Sequence, residues 1–299
     1  MPALGASQEF FQIAEDETTR HSQSVKKLIT QLDLLSLHTM IEDFSDFQNR
    51  FFNGSEYSMK ASRWLYTKIN QTVTASNATG VAVEVFDRAG WDQPSIIVSI
   101  PGMSAKTIVV GAHQDSIIRP CYQVPRDYAP GADDNASGVA TLIEALRAIL
   151  RDPDFAQGHV PNTLEFHFYA AEEVGLQGSK QIFDSYSSQG REVKAMLERI
   201  GVLTDYVDLG LTEFVRMIIT TVSDPTLVTN HASAQLHGYP AAMTFESKFG
   251  DHSRFIHTSL DRADTININH VLQHVTLVIG FAYELGFAPL GNEDITEEL

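Results

Sequence analysis

Residues 107–112 read "TIVVGA", and the polar letters of "GAHQDS" (111–116) follow at once. An almost wholly apolar run of this length fits a central strand covered on both faces. In open α/β sheets, ligands gather at the carboxyl ends of strands. The stretch therefore points to a fold class and to a place for chemistry together. Two more polar clusters stand in similar positions. "NTLEFHFYAA" (162–171) reads as another strand and runs into "AAEEVG" (170–175), while "GADDNASG" (131–138) leads into a helix-like segment.

Working outward, "VAVEVF" (81–86), "SIIVSI" (95–100) and "PAAMTFE" (240–246) also read as short strands, as do "RIGVLTDYV" (199–207) and "RMIITTV" (216–222). Between them, "ASGVATLIEALRAILRD" (136–152) puts Val139, Leu142, Ile143, Leu146, Ile149 and Leu150 on one apolar stripe. "GLQGSKQIFDSYSS" (175–188) reads as the next helix, expected to end near "EVKAML" (192–197). Amphipathic helices are expected from Ser24 through "MKASRWLYTKI" (59–69), and a closing helix over 269–286 with Gly286 as its C-terminal cap. This alternation predicts one α/β domain. Residues 1–23 read as a loose N-terminal segment or propeptide remnant and 24–299 as a single catalytic domain.

Composition narrows the function. Of 299 residues, 43% are hydrophobic and 20% charged, an ordinary globular balance. The formal net charge of −17, from 38 acidic and 21 basic residues, argues against nucleic acid or anionic membrane as a partner and suits a cationic ligand such as a peptide amino terminus. Cys121 is the only cysteine, which rules out an intramolecular disulfide and a cysteine-based zinc cluster. Asn-x-Ser/Thr triplets begin at Asn53, Asn70, Asn77 and Asn135, the first three in polar, loop-like surroundings. The amino terminus carries no basic start followed by an apolar core, so no signal peptide is visible. Neither a G-x-S-x-G nor an H-E-x-x-H stretch occurs, which disfavours serine hydrolase and HExxH metalloprotease chemistry.

Each polar cluster has a plain reading and a chemical one. His113 and Asp115 fit a histidine ligand oriented by a carboxylate, or simply a surface loop. Asp133 and Asp134 fit metal ligation, or capping of the helix that follows. Glu172 and Glu173 would repel each other in a dry site unless a metal took one as ligand and left the other as a proton shuttle; otherwise they are two solvated glutamates. His257 supplies a further histidine before the last helix. Together, in this order and at strand ends, the clusters are far more specific than any one alone.

"GAHQDS", "PGADDNASG", "AAEEVGLQGS", "GYPAAMTFESKF" and "IHTSLDRAD" resemble the motifs of the secreted co-catalytic di-zinc aminopeptidases, the bacterial and fungal leucine aminopeptidase family, over about Ser24 to Leu290. The resemblance implies a three-layer α/β/α fold with a central mixed, largely parallel β-sheet. It implies zinc, two ions per chain in the family, and removal of amino-terminal, leucine-like residues from peptides by a monomeric, extracellular enzyme. Carried over, His113 resembles the ligand of one zinc, Asp134 the bridging carboxylate, and Glu173 and His257 the remaining ligands of the other. Glu172 resembles the general base or acid, and Asp115 the partner orienting His113. Phe245, Phe249 and Ile256 resemble the pocket for the substrate's first side chain.

Two departures stand out. The family's fifth ligand, an aspartate soon after "VKAML", falls in a segment that is missing between "VKAML" and "ERIGVLTDYVDLGLTEF". A loop with two cysteines is also missing before "NHASAQLHGYPAA", where Asn230 stands in place of an aspartate. The zinc using His113 and Asp134 is thus expected to lack its third protein ligand, with Glu198 and Asp205 as candidate substitutes. The set Asp134, Glu173 and His257 is complete for a catalytic zinc. A single-zinc glutaminyl cyclase-like acyltransferase and an impaired family member are the competing expectations.

Overall fold

The structure is a computed structural model that describes residues 20–87, 90–118, 127–200, 230–245 and 252–290. Helices α1 (Ser22–Ile29), α2 (Leu34–Ser45) and α3 (Glu56–Ser76) come first, then strands β1 (Ala82–Phe86), β2 (Ser95–Ile100) and β3 (Thr107–His113). They are followed by α4 (Ser137–Ile149), the short α5 (Pro153–Ala156), β4 (Thr163–Tyr169), α6 (Gln177–Ser188) and β5 (Val193–Ile200). The last described elements are α7 (Asn230–Gln235), β6 (Ala241–Phe245) and α8 (Ile268–Phe287). Local chemistry sets several boundaries. The Asp33 carboxylate accepts the Leu35 and Ser36 amides at 3.0 and 3.1 Å to start α2, and Asn267 accepts the Asn269 amide at 3.1 Å to start α8.

The strands form one sheet in the order β1-β2-β4-β3-β5-β6. The β1–β2 and β2–β4 pairs are antiparallel, and the β4–β3, β3–β5 and β5–β6 pairs are parallel. Every residue of β3 is buried, as expected for a strand covered on both sides. Ile108, Val110 and Ala112 pack into one core with α1–α4 and α8, while Val109 joins Ile182, Phe183 and Tyr186 of α6 and Ala234 of α7 on the opposite face. This is the three-layer α/β/α arrangement with a mixed, largely parallel sheet. Burial of each such aliphatic side chain contributes about 1.5–3 kcal/mol. Among the described residues, no helix is long and apolar enough to cross a membrane.

Four sequence expectations change. The segment around "EVKAML" is strand β5, not the end of a helix. Its apolar residues Val193, Met196 and Leu197 fit helical spacing as well as a buried strand, and parallel pairing with both β3 and β6 decides between the two. Asn70 lies inside α3 and not in a loop; its side-chain amide donates to the Tyr66 carbonyl at 2.8 Å. Asn135 is only 2% exposed, which leaves no access for a glycan at that triplet. Of the other strand candidates, "RIGVLTDYV" contributes only its first two residues, to β5; its remainder and "RMIITTV" lie outside the described residues.

The fourth change is at Gly286. It does not cap α8, which continues to Phe287. A Cβ built there would lie 2.7 Å from the ring of the fully buried Phe155, so the glycine permits close contact between helix and ring. Gly286→Ala gains up to about 1 kcal/mol of helix propensity but overpacks a site where extra methyls cost about 1–3 kcal/mol. Urea unfolding is expected to show a lower midpoint with an unchanged slope; a raised midpoint would mean that Phe155 moves aside freely.

Candidate metal centre

Four segments converge at the carboxyl end of the sheet. His113 is the last residue of β3, and Glu172 and Glu173 follow β4. Asp134 sits in the turn 131–136 before α4, where Asp134 (φ −110°, ψ 85°) and Asn135 (φ −139°, ψ 40°) leave the helical region. Here the Asn135 side chain accepts the Gly138 amide at 3.0 Å and so starts α4 behind the acidic pair. His257 lies in the turn before α8. Both His257 (φ +57°) and Ala171 (φ +54°) adopt left-handed backbone conformations, which non-glycine residues hold only where the surroundings compel it.

His257 Nε2 lies 2.9 Å from Asp134 Oδ2 and 2.8 Å from Glu173 Oε2. His113 Nε2 lies 3.0 Å from Asp134 Oδ1 and 4.0 Å from Glu172 Oε2. His113, Asp134 and Glu173 form a group whose ligand atoms all fall within 4.8 Å of one another. Despite these short distances, His113 Nε2 and Glu173 Oε1 have no hydrogen-bond partner among the described residues, and both atoms are buried. The His113–Asp134 approach is therefore off the line of a directed bond. Lone pairs aimed at shared space are what a bound cation requires. The nitrogen and carboxylate donor set fits zinc.

Asp115 is placed beside His113, but its carboxylate has another occupation. Its two oxygens accept the Glu172 and Glu173 amides at 3.0 and 3.1 Å, while His113 Nδ1 lies 3.5 Å from Asp115 Oδ1 and 3.2 Å from the Asp115 carbonyl oxygen. Of the apolar trio, Ile256 is half-buried directly before His257, and Phe245 closes β6 in register with Ile200. Phe249 lies outside the described residues, as does Asp205.

Glu198 does not join the group. In the β3–β5 register it pairs with Gly111, two residues short of His113, and its carboxylate accepts the His231 amide at 2.6 Å. Two residues of strand span roughly 6.6 Å. Continuing that register sets position 200 beside His113, and the residue there is an isoleucine, which cannot ligate a metal.

Two residues overlooked in the sequence hold the site together. Arg50 is fully buried in the apolar stretch after α2; its guanidinium donates to the carbonyls of Gln114 and Gly131 at 2.8 Å each, to that of Phe44 at 3.2 Å, and to that of Pro130. Asp261, four residues after His257, accepts the Asp133 amide at 2.8 Å and the Asp134 amide at 3.1 Å. The available signals were slight: a lone arginine among phenylalanines, and an aspartate one turn beyond a candidate ligand.

The electrostatics follow from crowding acids away from water. Burial and the neighbouring Asp134 push Glu173 up to about 7, and burial pushes Glu172 well above its usual range. Burial also raises Asp261, to about 6. For His257, burial favours the neutral ring, but Asp134 and Glu173 outweigh it and raise the pKa to about 10. Glu172, Asp115 and Asp134 likewise outweigh burial at His113 and raise it well above its ordinary value, and the two histidines hold Asp134 far below the usual carboxylate range. Burial lowers Arg50 to about 10, with Asp261, Asp115, Asp134 and Glu173 opposing the shift, so it stays charged at neutral pH.

The known proteins that resemble this chain agree with that architecture. Residues 95–205 match the model of "Peptidase family M28". A "Leucine aminopeptidase 1" of Ajellomyces capsulatus (strain H88) is 41% identical over 293 residues, covering 89% of this chain and 74% of that protein. The crystal structure of the Legionella pneumophila LapA aminopeptidase superposes with a TM-score of 0.79 at 25% identity, over 91% of this chain and 78% of that one. An Acidobacteriales bacterium glutaminyl cyclase shares the fold, with a TM-score of 0.66 at 15% identity over 86% and 95% of the two chains. At 41% identity over 89% of its length, the chain belongs to peptidase family M28, a family of peptide hydrolases, alongside the fungal leucine aminopeptidases.

Proposed function

We propose that the protein is a zinc aminopeptidase that releases apolar, leucine-like residues from the free amino terminus of peptides. The observation that carries this reading is the convergence of His257, Asp134 and Glu173 at 2.8–2.9 Å, with buried His113 Nε2 and Glu173 Oε1 left without hydrogen-bond partners. Asp134, Glu173 and His257 would hold one zinc ion. Bound zinc supplies Lewis acidity toward the scissile carbonyl and acidifies a water. Glu172, beside but outside this set and with a raised proton affinity, takes the water's proton and delivers it to the leaving amide nitrogen. The excess of carboxylates attracts the substrate's ammonium group. Half-buried Ile256, directly before His257, is the described apolar residue placed to meet its first side chain, and the similarity to fungal leucine aminopeptidases supports an apolar preference. The same similarity is compatible with an extracellular enzyme.

Among the described residues a second metal would rest on His113 and Asp134, with Ile200 at the neighbouring strand position, and on these residues one firmly held zinc per chain is the expected stoichiometry. A single-metal centre also suits a glutaminyl cyclase, whose fold is shared. Elemental analysis after zinc addition and dialysis, with leucine p-nitroanilide hydrolysis on the same sample, separates these readings. About one zinc with turnover supports the aminopeptidase. One zinc with ammonia release from glutaminyl peptides and no p-nitroaniline would replace it with the cyclase, and no zinc would remove both. Glu172→Gln is expected to keep its zinc while kcat falls by roughly 100-fold or more, the usual contribution of a general base.

The site's charges also set a pH dependence. In the metal-free chain, Glu173 titrates near 7 against an ordinary 4.5, Asp261 near 6 against 3.8, and His257 near 10 against 6.5. In each case the folded state holds its proton to higher pH than the unfolded state does. Stability is thus fully present below the ordinary values and is lost as the pH rises, by about 1.4 kcal/mol per pH unit for each extra proton held. Asp134 shifts the other way and acts only in acid. Thermal unfolding in chelator is expected to give a Tm that falls from pH 5 to 9, with a smaller fall in zinc, which takes the place of those protons. A flat or rising Tm in chelator would contradict the assigned charges.

A further inference from the structure

The acidic pairs at the site are held in the same way. Asp115, two residues after His113, clasps the consecutive amides of Glu172 and Glu173 with its two oxygens. Asp261, four residues after His257, clasps the consecutive amides of Asp133 and Asp134 at 2.8 and 3.1 Å, and its carbonyl oxygen accepts the Ala132 amide at 3.0 Å. Each histidine-bearing segment therefore fixes the backbone of a different carboxylate-bearing segment. Asp261 and Asp115 are both fully buried, and Arg50 between them opposes their charge while it ties down the carbonyls of Gln114, Pro130 and Gly131.

We infer that Asp261 is a positioning residue for the metal centre: by binding the 132–134 backbone from the same turn that carries His257, it sets the separation of the Asp134 carboxylate from the His257 imidazole. This rests on the metal reading of the site. Asp261 itself touches neither the proposed metal nor the substrate. Without its carboxylate clasp the two side chains, now 2.9 Å apart, would be tied only through bonds to residues 130–133, short of Asp134 itself. Groups that orient ligands in this way typically change metal affinity by about 10- to 100-fold.

The test compares the parent chain with Asp261→Asn, which keeps the shape but turns an NH2 toward one of the two backbone N–H groups. The zinc dissociation constant is measured by competition with a chromophoric chelator, the Co2+ absorption spectrum is recorded, and the Tm of the metal-free chain is taken. Gly286→Ala, remote from the site, serves as the variant that only destabilises. Asp261→Glu, with the charge retained and the arm longer, replaces the asparagine variant if the latter does not fold. The expected result is a 10- to 100-fold weaker zinc affinity with shifted Co2+ bands, whereas Gly286→Ala lowers Tm alone. A lowered Tm with zinc affinity within twofold of the parent would make Asp261 merely structural and overturn the inference. Weaker affinity with the parent's Co2+ spectrum would overturn it too, since loss of charge alone would then explain the effect. If the parent chain binds no zinc, the metal reading itself falls and this inference with it.

Discussion

Crowding of buried acids at one end of the sheet is the constraint on which the site depends. Asp115, Asp134, Glu172, Glu173 and Asp261 lie within a few residues of the strand ends and turns, and among the described residues Arg50, His113 and His257 oppose them. Isolated ionised carboxylates are expensive to bury, so each must have backbone amides, a cation or a proton. Asp115 and Asp261 have the amides. Asp134 has the two histidines, which hold it far below the usual carboxylate range, whereas the raised proton affinities of Glu172 and Glu173 express an unmet demand for positive charge.

The rest of the architecture makes this crowding possible. Parallel β4, β3 and β5 deliver their C-terminal residues to one edge, and α4, packed beneath them, anchors the turn that contains Asp134. Gln114 shows how little of the "GAHQDS" stretch is idle. Its amide donates to the Pro94 and Phe168 carbonyls at 2.7 and 3.2 Å and accepts from Ser62 at 2.6 Å, which locks the loop between the two proposed ligand-bearing strand ends. Arg50 extends the same bracing to the 130–131 backbone, with its guanidinium 4.6 Å from the Phe44 ring centroid.

Position 200 is where this chain departs most from the pattern its motifs resemble. Among the described residues, the isoleucine at the strand position beside His113 leaves the His113 side of the proposed centre with fewer donors than the His257 side. Glu198 cannot make up the difference, because it lies a full strand repeat deeper and is committed to the His231 amide. Among the described residues the asymmetry follows from β5's register, which sets an isoleucine beside His113.

The sequence by itself determined the α/β class, the buried central strand at 107–113 and the polar clusters at strand ends, because hydrophobic period and residue chemistry are local properties. Its motifs also carried the resemblance that named His113, Asp134, Glu173 and His257 as one group. Only the tertiary structure decided that "EVKAML" is a strand, since three apolar residues at that spacing satisfy both periods until a partner strand selects one. It alone assigned Gly286 to packing against Phe155, turned the Asp115 carboxylate toward the glutamate amides, brought Arg50 to the site from a position with no motif of its own, and gave Asp261, within "IHTSLDRAD", a role its motif did not name. Those roles depend on hydrogen bonds between segments up to 128 residues apart, a distance over which periodicity and spacing carry no information.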